Sequence, residues 1–142
     1  MPNFKFVISD GKKSYQIEKD QKDCPVFGKK ISESISGDFL DLEGYELVIT
    51  GGSDKDGFPM RKDVEGIVRK KIITSGGVGF DPQVNGLRRR KMIRGNTIAA
   101  DVAQINCKVS KKGAKLLDEI LGKKEAVPEA AKPETKHEEE KK

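Results

Sequence analysis

The sequence predicts a mainly β fold: a small β-barrel or strongly coiled sheet of short strands, with one C-terminal α-helix and a disordered charged tail. Three observations predict it. Short runs rich in β-branched and aromatic residues alternate with polar ones, as half-buried strands do. Glycine turns separate the runs roughly every 8–12 residues, the spacing of small all-β domains. The apolar period becomes helical only near the end, over residues 111–122.

Each element follows in order. Phe4, Val7 and Ile8 with Lys5, then Tyr15 and Ile17 beyond the Asp10-Gly11 turn signal, predict a hairpin over residues 4–18. "GKKISESI" is spaced for a helical turn, and "DFLDLEGYELVIT" (38–50) for two short strands about Gly44. "GGSDKDGFPM" (51–60) and "GGVGFDP" (76–82) are turn clusters, in which Gly51, Gly52, Gly57, Pro59, Gly76, Gly77 and Gly79 shape the backbone, as Gly95 does further on. "IVRKKIITS" (67–75) is a β-branched strand about a cationic centre. In "DVAQINCKV" (101–109), Ala103, Ile105, Cys107 and Val109 share one face and Gln104, Asn106 and Lys108 the other. Leu116, Leu117, Ile120 and Leu121 then line one side of a helix that stops at Gly122. Residues 123–142 hold too little apolar area to offset their ordering entropy, so disorder is expected there. The expected organisation is a domain over 1–110, a helix over 111–122 and a tail over 123–142.

The 142 residues carry a net charge of +5, with 36% charged side chains. The distribution says more than the sum. Residues 1–60 hold eight lysines against eleven acids; residues 61–112 hold thirteen Lys and Arg against four acids, a net +9. Such asymmetry implies a polyanionic partner. Cys24 and Cys107 stand far apart and the sole histidine, His137, lies in the tail, so no zinc spacing exists and buried reduced thiols are expected. No signal peptide pattern and no run of ~20 apolar residues occurs. A cytoplasmic protein is expected, with no membrane, cofactor or small-molecule substrate.

Catalysis finds no support. Asp54 and Asp56 could be imagined as a metal pair, which would make a metalloenzyme, but acids beside Gly and Pro are ordinarily solvated turn residues. "SGGVGF" lacks the Gly-Lys-Ser/Thr ending of a phosphate loop. The basic segment "GLRRRKMIRGNT" (86–97) is the stronger signal. A charge run is ordinarily a solvated face. Here, however, arginines dominate, and their forks match phosphate geometry. Gly86 and Gly95 flank them, which lets backbone approach a ligand, and only Asp81 lies between Lys71 and Arg94 to neutralise them. The candidate RNA contacts are Arg61, Arg69, Lys70, Lys71, Arg88, Arg89, Arg90, Lys91, Arg94, Lys108, Lys111 and Lys112. Few aromatics accompany them, so recognition of RNA backbone and shape is expected rather than reading of single-stranded bases.

"GYELVITGGSDKDGFPMR", "SGGVGF", "RRRKMIRGNTI" and "DVAQINCKV", in this order and spacing, resemble the sixth small-subunit ribosomal protein of the archaeal–eukaryotic type, from Phe4 to about Lys112. The length is similar to that of archaeal members. The resemblance implies a non-enzymatic protein on a small β-barrel, bound to small-subunit ribosomal RNA near the foot of the particle beside other ribosomal proteins. It implies that Arg61 closes the glycine-rich motif, and that Arg88 to Lys91, Arg94, Asn96 and Thr97 form the arginine motif. Eukaryotic members end in a basic helix phosphorylated on serine. No serine follows Ser110 here, so that regulation does not carry over. The expectation is a ribosome-bound protein, monomeric when isolated, whose cations form a mobile, self-repelling loop until RNA neutralises them. The alternative is a free-standing nucleic-acid-binding regulator outside the ribosome.

Overall fold

The computed structural model describes residues 3–113, 115 and 117–121. It is mainly β, with seven strands: β1 (Asn3–Asp10), β2 (Lys13–Asp20), β3 (Ser34–Ser36), β4 (Glu46–Asp54), β5 (Arg69–Thr74), β6 (Arg89–Arg94) and β7 (Val102–Lys111). Five of them make a sheet in the order β2-β1-β7-β4-β3, and β5 and β6 make a separate two-stranded ribbon. The larger sheet is a curled half-barrel, with β2 and β3 at its edges, rather than a closed barrel.

Alternation builds the core. Phe4, Phe6 and Ile8 point inward from β1, Leu47 and Ile49 from β4, and Ile105 and Cys107 from β7. The inward set on β1 includes Phe6 in place of Val7, which is only half-buried, because side chains two apart share a face. The β1–β2 hairpin turns at Gly11, where φ is +61°, as its Asp-Gly pair implies. β1 lies parallel to β7, so the first and last strands share the centre of the sheet. Cys24 and Cys107 are free and buried, and burial pushes the Cys107 thiol up to about 12.

Several expectations are corrected. Residues 28–35 form no helical turn: Lys30 bridges Thr97, Ser32 takes a left-handed φ of 79°, and β3 pairs with Leu47 and its neighbours. Of the two strands expected over 38–50, Asp38–Leu40 is instead a 3-10 turn. The loop expected over 51–60 begins late, because β4 runs on to Asp54. Gly52 makes that extension possible: a Cβ there would lie 2.3 Å from the Gln104 carbonyl oxygen of β7. Lys111 ends β7 instead of opening a helix, and the described residues beyond it contain one helical turn, α1 (Leu117–Leu121), whose Leu117 is buried against the sheet. The tail expected over 123–142 lies outside the described residues.

The expected loop glycines divide. Gly57, Gly77 and Gly79 take positive φ, whereas Gly51 and Gly76 have neither a positive φ nor a crowding neighbour closer than 3.6 Å. Gly95 does not open the backbone to a ligand. It is buried, and a Cβ on it would sit 1.8 Å from the Gly66 carbonyl oxygen. Both partners are backbone, so neither can yield by a rotamer change. Gly95→Ala is therefore expected to destabilise the fold by about 3 kcal/mol or more, at or above the upper range for overpacking. Denaturant unfolding checks this, and a loss under 1 kcal/mol would refute the close approach.

Candidate nucleic-acid interface

Thirteen cations over residues 61–112 must be placed by four elements: the segment before β5, the β5–β6 ribbon, the loop joining its strands, and the end of β7. The ribbon is antiparallel, with Arg69 opposite Arg94, Lys71 opposite Met92 and Ile73 opposite Arg90 on one face. The other face pairs Lys70 with Ile93, Ile72 with Lys91 and Thr74 with Arg89. Arg89, Arg90 and Lys91 thus belong to a paired strand, which corrects the expectation of a mobile loop. Lys70, Lys71, Arg88, Arg89 and Arg90 are exposed, and none of them has an ion-pair partner among the described residues. Ile73, Val78 and Val84 are also exposed on the ribbon and its loop. Lys91 is half-buried, with its Nζ 5.6 Å from the centre of the Phe80 ring.

Arg94 is a correction. It is 2% exposed and ion-paired through its guanidinium to the Asp54 carboxylate, which is equally buried. In this fold it has no route to a phosphate. Asp54, at the end of β4, takes both strands of the ribbon at once: its Oδ2 accepts from Arg94 of β6 and from Nε of Arg69 of β5, the latter at 2.8 Å. Asp56 takes a second donor from Arg69, and the Phe58 ring lies 4.9 Å beneath the same guanidinium. Arg69 is thus also committed within the molecule. Burial pushes the Asp54 carboxyl up, but hydrogen bonds and charge from Arg69 and Arg94 outweigh it and hold the group below the ordinary aspartate range. Asp54 is therefore not the solvated turn residue that its neighbours imply, whereas Asp56 is an exposed turn residue as expected, paired with Arg69.

The remaining expected contacts are scattered. Arg61 is half-buried, donating to Asp63 at 3.0 Å and to Thr74 Oγ1 at 3.4 Å. Asn96 is buried and supports backbone, donating from its side chain to the Lys62 carbonyl at 3.2 Å. Lys108, Lys111 and Lys112 lie toward the far end of β7. From Val102, beside Asp54, to Lys108 is about 20 Å at the rise of a strand. Lys111 pairs with Glu46 and Lys112 with Asp10, each at 2.8 Å. Both pairs are exposed and so worth little. The fold therefore gathers Lys70, Lys71 and Arg88 to Lys91 on one ribbon and leaves the β7 lysines on a separate surface.

Sequence reasoning missed Asp54 as the counter-ion, and it missed Phe58 and Phe80 as rings beneath cations. Only pairing across a sequence separation of forty residues reveals the first. The spacing of the motifs gave no signal for it.

Comparison with known proteins gives the family. The family model described as ribosomal protein S6e matches residues 4–122. A small ribosomal subunit protein eS6 of Methanosphaera stadtmanae is 53% identical over 123 residues, covering 86% of this chain and 95% of the relative. That of Methanocella arvoryzae is 47% identical over 134 residues, covering 92% and 94%. That of Methanocaldococcus jannaschii is 49% identical over 124 residues, covering 86% and 93%. The matched span takes in the half-barrel, the ribbon and the Asp54 clamp alike, and the chain belongs to the ribosomal protein S6e family.

Proposed function

We propose that this chain is a structural constituent of the small ribosomal subunit and that its β5–β6 ribbon binds small-subunit ribosomal RNA. The family is one of structural proteins and not of enzymes. The observation that carries the RNA reading is the ribbon itself: four exposed cations, with Arg88 just before β6 as a fifth, without an acid paired to any of them among the described residues, on strands fixed to the sheet by Asp54. Cations left unpaired on a rigid element are suited to phosphates, and arginine forks favour them further. Lys108 and the weakly paired Lys111 and Lys112 add a second, peripheral contact. The chain works bound to the ribosome in the cytoplasm, among neighbouring ribosomal proteins, and is a monomer when isolated.

Sedimentation tests the reading. The full chain, added to cell extract at physiological salt, is expected to migrate with the small subunit. A chain that stays at the top of the gradient, while binding RNA when purified, would point instead to a free-standing regulator.

A further inference from the structure

Between β6 and the connection that precedes it lies a cavity of about 300 Å³, lined by two of the ribbon's cations, Arg89 and Lys91. Arg89 and Lys91 stand two apart on β6 and so share a face. The 75–88 connection folds over that face and brings Phe80, Asp81, Gln83 and Leu87 to the cavity wall. A turn in which the Phe80 N–H donates to the Gly77 carbonyl at 3.0 Å shapes that connection. Asp81 is the single acid between Lys71 and Arg94. It lines the same cavity as the two cations, yet among the described residues it has no ion pair with either.

We infer that this cavity receives one unpaired guanosine nucleotide of the bound RNA, so that the protein reads a base as well as the backbone. The inference rests on the RNA-binding reading above. The volume suits a single nucleotide and not a duplex. Phe80, over whose ring the Lys91 Nζ lies at 5.6 Å, offers with Leu87 an apolar surface on which any base can stack once that ammonium turns to the phosphate. Arg89 and Lys91 take the attached phosphate. Asp81 is an acceptor only, and guanine alone among the bases presents two adjacent donors, N1–H and the N2 amine, on its Watson–Crick edge. Gln83 supplies the amide that can meet O6.

Affinities of the purified full chain for three RNA hairpins test this: one with a single bulged guanosine, one with a bulged adenosine, and one fully paired. The guanosine bulge is expected to bind about tenfold tighter than the paired hairpin, a low value for one stacked base. Phe80→Leu should remove most of that gain. Asp81→Asn should abolish the preference of guanosine over adenosine while leaving the affinity for the paired hairpin and the unfolding midpoint unchanged. Equal binding to all three hairpins by the parent chain, with a steep salt dependence retained, overturns the nucleotide site and leaves the phosphate reading standing. Binding to none of them overturns both. Displacement of the guanosine bulge by micromolar GMP identifies a free-nucleotide site and overturns the assignment to RNA. Unaltered guanosine preference in Asp81→Asn overturns the role of the carboxylate.

Discussion

Asp54→Ala is expected to cost the fold about 3–5 kcal/mol, the penalty for removing one partner of a buried ion pair. The change strands Arg94, which is 2% exposed, without its counter-ion. It also takes one of two carboxylates from Arg69, which keeps Asp56, so both strands of the ribbon lose their side-chain tie to the end of β4. Denaturant unfolding at neutral pH measures the loss, and a cost below 1 kcal/mol would refute the clamp. The pair itself is another matter. Asp54 Oδ1 and Arg94 Nε have no hydrogen-bond partner among the described residues, so part of the desolvation cost of this pair is not recovered. Replacing both, as Asp54→Leu with Arg94→Met, should therefore be far less harmful than Asp54→Ala alone. Acid titration adds an independent check. Asp54 titrates below its unfolded value of about 3.9. Its contribution is thus fully present above that value and is lost as pH falls through the depressed folded one. In Asp54→Ala, that part of the acid destabilisation should be missing, so the stability gap to the parent narrows below pH ~4.

Arg88→Ala, Arg89→Ala and Arg90→Ala combined should lower the log–log salt slope of RNA binding by roughly 2 to 3, at ~0.7–0.9 for each phosphate that is no longer neutralised. Counterion release vanishes near 1 M salt, so the same change amounts to a roughly hundredfold or greater drop in affinity at 0.1 M. Stability should hold or rise slightly, because three exposed like charges leave a segment in which none of them has an ion-pair partner among the described residues. Arg94 serves as the internal contrast. Its removal should destabilise the fold, whereas removal of the exposed arginines should release RNA. Unchanged affinity and slope in the triple variant, with easier unfolding, would mean that these arginines serve the fold.

Elements are legible in the sequence where local pattern and final environment agree. Phe4 and Ile8, and Ile105 and Cys107, point inward because alternation on a strand needs only one buried face. The Asp-Gly turn at residues 10–11 fixes its hairpin without help from the rest of the chain. The concentration of positive charge in residues 61–112 was equally legible, since charge is a property of composition. Which of those cations face outward is a matter of tertiary structure. Arg90 and Arg94 are both arginines of one short strand, and no local rule separates them. Arg94 is internal because β4 delivers Asp54 to it from forty residues away. Gly95 reads as a flexible neighbour of the arginines, yet it is a point of contact with Gly66. Residues 51–54 look like a loop and become strand because β7 lies alongside with a gap that only glycine leaves open. In each case a partner remote in sequence supplies a charge, a hydrogen bond or a steric wall whose energy exceeds any local preference, and one chain read from end to end does not say where that partner will be.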